Sequence, residues 1–229
     1  MHTSAMEAGR LFFKQYCGGD GPSVLDIGAL DVNGSLRSVA PAGCQYTGAD
    51  LGAGKGVDVV LEDPHHLPFP DASFDAVVST SCFEHDTFFW LTFLECLRVL
   101  RLGGHFYLNA PSNGVYHTYP DDNWRFYPDA GRALVKWGRR NNVDVELAES
   151  FILDQWDQWN DFVAVFARVA PGTTPSLEPG SGIHRSFPGA TNIWVFGATE
   201  IARKQVLTED QRHVGITSKL MQRIRRRFR

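Results

Sequence analysis

The chain has 229 residues, a formal net charge of −4, 43% hydrophobic and 12% aromatic content, which suits a globular protein with one good core and a small appendage. No apolar run approaches the roughly 18 residues of a membrane span. The opening MHTSAMEAGRLFF lacks the basic and apolar regions of a secretory leader, so a cytoplasmic location is expected. Cys17, Cys44, Cys82 and Cys96 form no C-x-x-C pair and read as free thiols in a reducing compartment. Charge is uneven: residues 203–229 hold nine Lys/Arg and two acids, which leaves a body near −11 and a tail near +7.

In chain order, Ser4 to Glu7 forms a capping box that opens a helix through about Cys17. Strands are expected at 22–27, 45–49, 57–61, 74–79 and 104–109. Helices fall between them, clearest at 87–101 and 128–140. VDVVL, FDAVVST and HFYLNA are mostly apolar, as strands covered on both faces should be. This alternation implies a parallel sheet with right-handed crossovers. Beyond residue 141, VDVELAESFIL and DFVAVFARV are joined by about seven residues, too few for a crossover, so they form an antiparallel hairpin. The expected fold is α/β, a doubly wound sheet of seven strands, mostly parallel with one antiparallel strand, over residues 1–170. Residues 171–229 form a C-terminal extension. In it, PGTTPSLEPGSG is a linker, TNIWVFGATE a further strand or docking segment, and SKLMQRIRRRFR a basic helix or frayed tail. That basic run reads as solvated, with an anionic substrate, a membrane surface or nucleic acid as the alternatives.

Ligands of such sheets collect beyond the carboxyl ends of the strands. Strand one delivers Gly28 there, strand two Asp50, and strand three Glu62 and Asp63. Strand four delivers SCFEHD, strand five PSNGVYHTYPDDNWRFY, and the hairpin turn DQWDQW. The dinucleotide fingerprint G-x-G-x-x-G is absent, since Leu30 and Asn33 occupy its second and third glycine positions. GADLGAGKG only imitates a phosphate-binding loop, because Ala49 and Gly56 replace its first glycine and its Ser/Thr. The adjacent His65 and His66 read as solvated.

VLDIG, YTGADL, DPHHLPFPDASFDAVVSTSCFEH and FLECLRVLRLGGHFYLNAPS, taken together over residues 8–168, resemble the class I S-adenosylmethionine-dependent methyltransferases. The likeness is to the small bacterial kind with L-P-F-x-D-x-S-F-D, E-H and R-V-L-x-x-G-G. LDVNGSLR and YPDDNWRFYPDA suggest a subgroup associated with glycan or secondary-metabolite pathways. The resemblance implies a Rossmann-like fold and S-adenosylmethionine as cofactor. It puts Asp63 where the family takes the adenine amino group, while Asp50 sits where an acid accepts a ribose diol. Gly28, lacking a Cβ, lets the cofactor lie against the backbone. Asp26 lies beneath that loop, and Ala29, Leu51 and Ser79 complete the expected cofactor set.

STSC replaces the [DN]-P-P-[YF] of many amino methyltransferases, and no Pro-Cys nucleophile is present, which favours an oxygen acceptor by elimination. His85 is the candidate base, with Glu84 or Asp86 orienting it. Residues 112–127 read as an acceptor-binding lid. His117, Tyr119, Asp121, Asp122 and Trp124, with Trp156 from the hairpin turn, mix carboxylates and flat rings as sugar sites do. An alternative activator is Mg2+ held by Asp86, Asp121 and Asp122. The expected function is methyl transfer to a hydroxyl of a sugar or oligosaccharide. RNA or a small nitrogen or oxygen acceptor is the alternative, as is a non-catalytic cofactor-binding partner subunit. The acidic body disfavours nucleic acid. A homo-oligomer is compatible with everything above.

Overall fold

The computed structural model describes residues 3–154, 158–175 and 181–197. Eight strands form one sheet: β1 Ser23–Ile27, β2 Gln45–Asp50, β3 Val59–Val60, β4 Phe74–Thr80, β5 Leu100–Pro111, β6 Val145–Ile152, β7 Asp161–Arg168 and β8 Thr191–Val195. Their order is β3-β2-β1-β4-β5-β7-β6-β8. β1 to β5 pair in parallel, β7 inserts antiparallel between β5 and β6, and β8 runs antiparallel along β6. The sheet is thus the expected Rossmann-like one, with one strand more. β8 covers the edge of β6 that a seven-stranded sheet would leave open to other chains. Residues 183–195 therefore share the sheet and core of the residues before 170. The basic tail lies outside the described residues.

Among the described residues three α-helices, α1 Thr3–Tyr16, α2 Phe89–Val99 and α3 Ala130–Arg140, accompany the sheet. On one face, Phe93 and Leu97 of α2 and Leu134 of α3 pack with Leu25, Val77, Phe106, Phe162 and Phe166. On the other, Phe12 and Phe13 of α1 meet Val24, Val78, Tyr107, Phe151, Ile183 and Ile193. The crossovers near β1 are thinner than the expected alternation. A single 3-10 turn, Leu36–Val39, lies between β1 and β2, and no described helix lies between β2 and β4. Proline and glycine account for this, since DPHHLPFPDAS and GAGKG cannot sustain a helix. α1 begins at Thr3, so Ser4 sits inside the helix, and Glu7 binds Arg10 at 2.8 Å instead of closing a capping box.

The segment before β8 is pinned by a buried carboxylate. Glu149 on β6 accepts hydrogen bonds from Tyr16 Oη of α1 at 2.6 Å and from the Ile183 N–H at 2.8 Å, and its Oε2 lies 2.6 Å from His184 Nδ1. Two distant stretches of sequence, at Tyr16 and at residues 183–184, converge on this one side chain. Glu149→Ala would leave these donors without their acceptor. It should lower stability by about 2–4 kcal/mol, read as the midpoint of urea unfolding. A change below about 0.5 kcal/mol would mean that the pin carries no net stability.

Candidate active site

A cavity of about 1040 Å3 opens at the carboxyl edge of β1, β2 and β4, bounded on its far side by residues 117–121. Its first wall is the loop after β1. Gly28 adopts φ +80°, and a Cβ there would fall 2.5 Å from Cys82 Cβ. The glycine is thus required by the turn and by the packing of the β4 loop, rather than by the approach of a ligand. Asp50 holds this loop. Its Oδ2 accepts the Leu30 N–H at 3.0 Å and its Oδ1 the Gly52 N–H at 3.1 Å. Close packing of GADLGAGKG completes the wall: a Cβ on Gly48 would meet the Gly56 carbonyl at 2.0 Å, and one on Gly56 the Ala29 carbonyl at 2.5 Å.

Asp26, Gly28, Ala29, Asp50 and Leu51 all line the cavity. Asp26 is buried and accepts the Tyr46 hydroxyl at 2.8 Å. Burial pushes its carboxyl up to about 6, against the opposing Tyr46 hydrogen bond. Two members of the expected cofactor set are elsewhere. Asp63 is outside the lining and accepts the His65 N–H at 2.8 Å, capping its own turn. Ser79 is fully buried and donates to the Ile27 carbonyl at 2.9 Å, joining β4 to β1. Leu61, Pro64 and His65 occupy the wall at that end. His65 is no solvated histidine, because its Nε2 lies 3.0 Å from Asp86 Oδ1. The bond to Asp86, across 21 residues, left no local signal in the sequence.

That pairing corrects the role expected of Asp86. Its carboxylate also accepts the Phe88 N–H at 2.9 Å and the Thr92 hydroxyl, so it serves the start of α2 and does not orient His85. His85 is oriented instead by the Asp121 main chain, whose carbonyl accepts from Nδ1. A carbonyl can only accept, so Nδ1 carries the proton and Nε2 presents a lone pair. That Nε2 lies 3.6 Å from Glu84 Oε1. Glu84 is 1% exposed, and burial pushes its carboxyl up to about 8. Its Oε2 has no hydrogen-bond partner.

The expected lid divides into two parts. His117, Tyr119 and Asp121 face the cavity, whereas Asp122 and Trp124 lie outside its lining. Asp122 is gripped by Arg125, with Oδ2 accepting from Nη2 at 2.7 Å, and also accepts the His117 N–H at 2.8 Å. The guanidinium holds its carboxyl well below the usual range. Trp124 donates from Nε1 to the Asp86 carbonyl at 2.9 Å and stacks edge-on against Phe89 and Trp90. It is an anchor, as is Phe126. The three carboxylates expected for Mg2+ are therefore engaged apart: Asp86 with His65, Asp122 with Arg125, and Asp121 exposed at the rim. Trp156 lies outside the described residues, while Trp159, also in that turn, packs edge-on against His117 at 5.1 Å.

The strand order and the ligand edge define a class I methyltransferase fold. Residues 25–108 match a family described as a methyltransferase domain. The chain is 32% identical over 152 residues to the ubiquinone/menaquinone biosynthesis C-methyltransferase UbiE of Bartonella tribocorum, covering 62% of this chain and 54% of that protein. It is 34% identical over 101 residues to a fatty-acid O-methyltransferase of Mycolicibacterium smegmatis, covering 38% and 36%. The chain thus spans about half or less of the curated relatives it matches. The 1,6-didemethyltoxoflavin-N1-methyltransferase of Burkholderia thailandensis, solved with 1,6-didemethyltoxoflavin and S-adenosylhomocysteine, superposes with a TM-score of 0.56. The two share 16% identity, over 73% of this chain and 79% of that one. Residues 25–108 thus carry a methyltransferase domain, on the fold of the class I S-adenosylmethionine-dependent methyltransferases.

The buried Glu84 carboxyl gives a stability prediction. Because its folded pKa of about 8 exceeds the ordinary value of 4.5, the native state holds the proton more tightly than the unfolded chain. Its contribution is favourable at low pH and is lost as pH rises from about 4.5 through about 8. In EDTA-containing buffer, Glu84→Gln should raise stability by roughly 2–4 kcal/mol at pH 8.5 and change it little at pH 5. Thermal unfolding at the two pH values checks this. Equal shifts at both would remove the burial argument.

Proposed function

We propose that the chain transfers a methyl group from S-adenosylmethionine to an oxygen acceptor, and that the acceptor is a sugar hydroxyl. One observation carries the reading. A single cavity runs from Asp26 and Asp50 at the β1 and β2 ends to His85, His117 and Tyr119 at the rim. Its 1040 Å3 slightly exceeds the ~300–1,000 Å3 typical of a pocket for one small ligand, which leaves room for cofactor and acceptor together. Asp50 retains lone pairs beyond its two backbone bonds and suits a ribose diol. Asp26 is a buried carboxyl with, among the described residues, no cation hydrogen-bonded to it, and an ammonium at the methionine end would stabilise its charged form.

At the other pole, Nε2 of His85 takes the proton from the acceptor hydroxyl. Oxygen, methyl carbon and sulfur are then aligned for in-line displacement, with the C–S electron pair leaving on sulfur. Tyr119 at the rim offers a flat face to the C–H side of a sugar, and Asp121 a carboxylate for its hydroxyls. The exposed Val32 and Phe88 on the same cavity favour a second acceptor class, an apolar alcohol or acid. The fatty-acid O-methyltransferase relative agrees with that second class.

Two variants separate the poles. Asp50→Ala should weaken S-adenosylmethionine binding by roughly 2–4 kcal/mol in calorimetry. An unchanged affinity in a folded variant would refute the cofactor pole. His85→Ala should leave cofactor affinity near wild type and lower kcat by about 10²–10⁴-fold. The assay is transfer of labelled methyl across saccharides, long-chain acids and phenols. Transfer at the wild-type rate by His85→Ala would displace the acceptor pole from His85.

A further inference from the structure

Glu84, His85 and His117 each present one potential ligand atom, and these three atoms lie within 4.8 Å of one another. Among the described residues this is the one group of three that meets so closely. Both histidines are already oriented as metal ligands are. His85 donates Nδ1–H to the Asp121 carbonyl. His117 has its Nδ1 3.4 Å from the Val115 carbonyl and 3.4 Å from Asp122 Oδ2, both acceptors. In each ring the other nitrogen, Nε2, is left with its lone pair. Asp122 is itself fixed by Arg125, so His117 has the carboxylate-backed setting usual for a ligating imidazole. Glu84 supplies a second, independent sign: a 1% exposed residue whose Oε2 has no hydrogen-bond partner.

We propose that Glu84, His85 and His117 bind one divalent transition-metal ion of the zinc, manganese or iron kind. The donor set decides the class, because two imidazoles and one carboxylate suit these ions, whereas Mg2+ prefers oxygen alone. Both histidines line the cavity and Glu84 lies behind them, so a fourth position opens toward the acceptor. Asp122, expected from the sequence to ligate Mg2+, here supports a ligand from outside.

The inference rests on the methyl-transfer reading and sharpens its acceptor pole. With a cation in place the His85 lone pair is committed, and the cation does what the imidazole does in the bare cluster. The acceptor hydroxyl coordinates, becomes more acidic and releases its proton to solvent through the open mouth of the cavity. The oxygen then forms the O–C bond as the C–S bond breaks and its electron pair passes to sulfur. A methyl ether, S-adenosylhomocysteine and one proton result.

The test titrates Co2+ into the full chain after stripping with EDTA, reading visible d–d absorption and stoichiometry. The account predicts one Co2+ per chain, displaced by Zn2+ but not by Mg2+. His117→Ala and the milder His117→Gln should each weaken Co2+ roughly tenfold or more and alter the band, while far-UV circular dichroism stays native. Glu84→Gln should weaken it likewise. No d–d band, or a band and affinity that survive all three substitutions, would overturn the site. Calorimetry with S-adenosylmethionine on the same samples keeps the two claims apart. Cofactor binding without Co2+ binding removes only the metal, whereas failure of the wild-type chain to bind the cofactor removes the methyl-transfer reading whatever Co2+ does.

Discussion

The cavity depends first on one carboxylate, Asp50, and on the two main-chain N–H groups that it accepts. A cofactor loop built from closely spaced glycines can wrap a ligand through its own backbone freedom. The loop after β1 has Gly28 and, only six residues on, Gly34, with Ala29, Leu30, Asp31, Val32 and Asn33 between them. It is shaped from outside: Asp50 takes Leu30, and the β2–β3 connection presses Gly56 against Ala29. Hydrogen bonds to a charged acceptor contribute about 1.5–3 kcal/mol each, enough to hold a short loop in one conformation. The same acid that is proposed to read the cofactor thus also builds the wall around it.

The opposite pole is organised by main-chain carbonyls. Three consecutive residues after β4 each accept a hydrogen bond from the lid. The Glu84 carbonyl takes the N–H groups of Asn123 and Trp124, the His85 carbonyl takes Asn123 Nδ2, and the Asp86 carbonyl takes Trp124 Nε1. The return bond runs from His85 Nδ1 to the Asp121 carbonyl. The turn that carries His85 and the segment that carries His117 and Tyr119 are therefore laced into one unit. Its side chains keep their spacing without help from a ligand, which is what a preorganised acceptor site needs.

Elements with strong periodicity were legible in the sequence. The apolar runs of β4 and β5 and the short link between β6 and β7 gave the sheet and its antiparallel insertion. β8 was ambiguous, because Thr191–Val195 pairs with β6 only after a long return that no local pattern encodes. Positions at strand ends were legible as positions but less so as roles. Asp26 and Asp50 line the cavity because the sheet delivers them there. Asp63 and Ser79 lie outside its lining, Asp63 accepting the His65 N–H in its own turn and Ser79 buried against a strand carbonyl. The hardest features to read were the pairs distant in sequence: His65 with Asp86, and His85 with the main chain of Asp121. A glutamate beside a histidine does not say which of them is buried, and here it is Glu84 that is sealed while His85 opens to the cavity.

The central claim is that cofactor and acceptor share the cavity at the carboxyl edge, with the cofactor held between the loops after β1 and β2. Hydrogen–deuterium exchange with saturating S-adenosylhomocysteine tests it most directly. The account predicts slowed exchange at the amides of residues 28–34 and 50–52, with little change at residues 17–22 and 101–104 on the opposite edge. Protection confined to that opposite edge, or none at either loop, would contradict it.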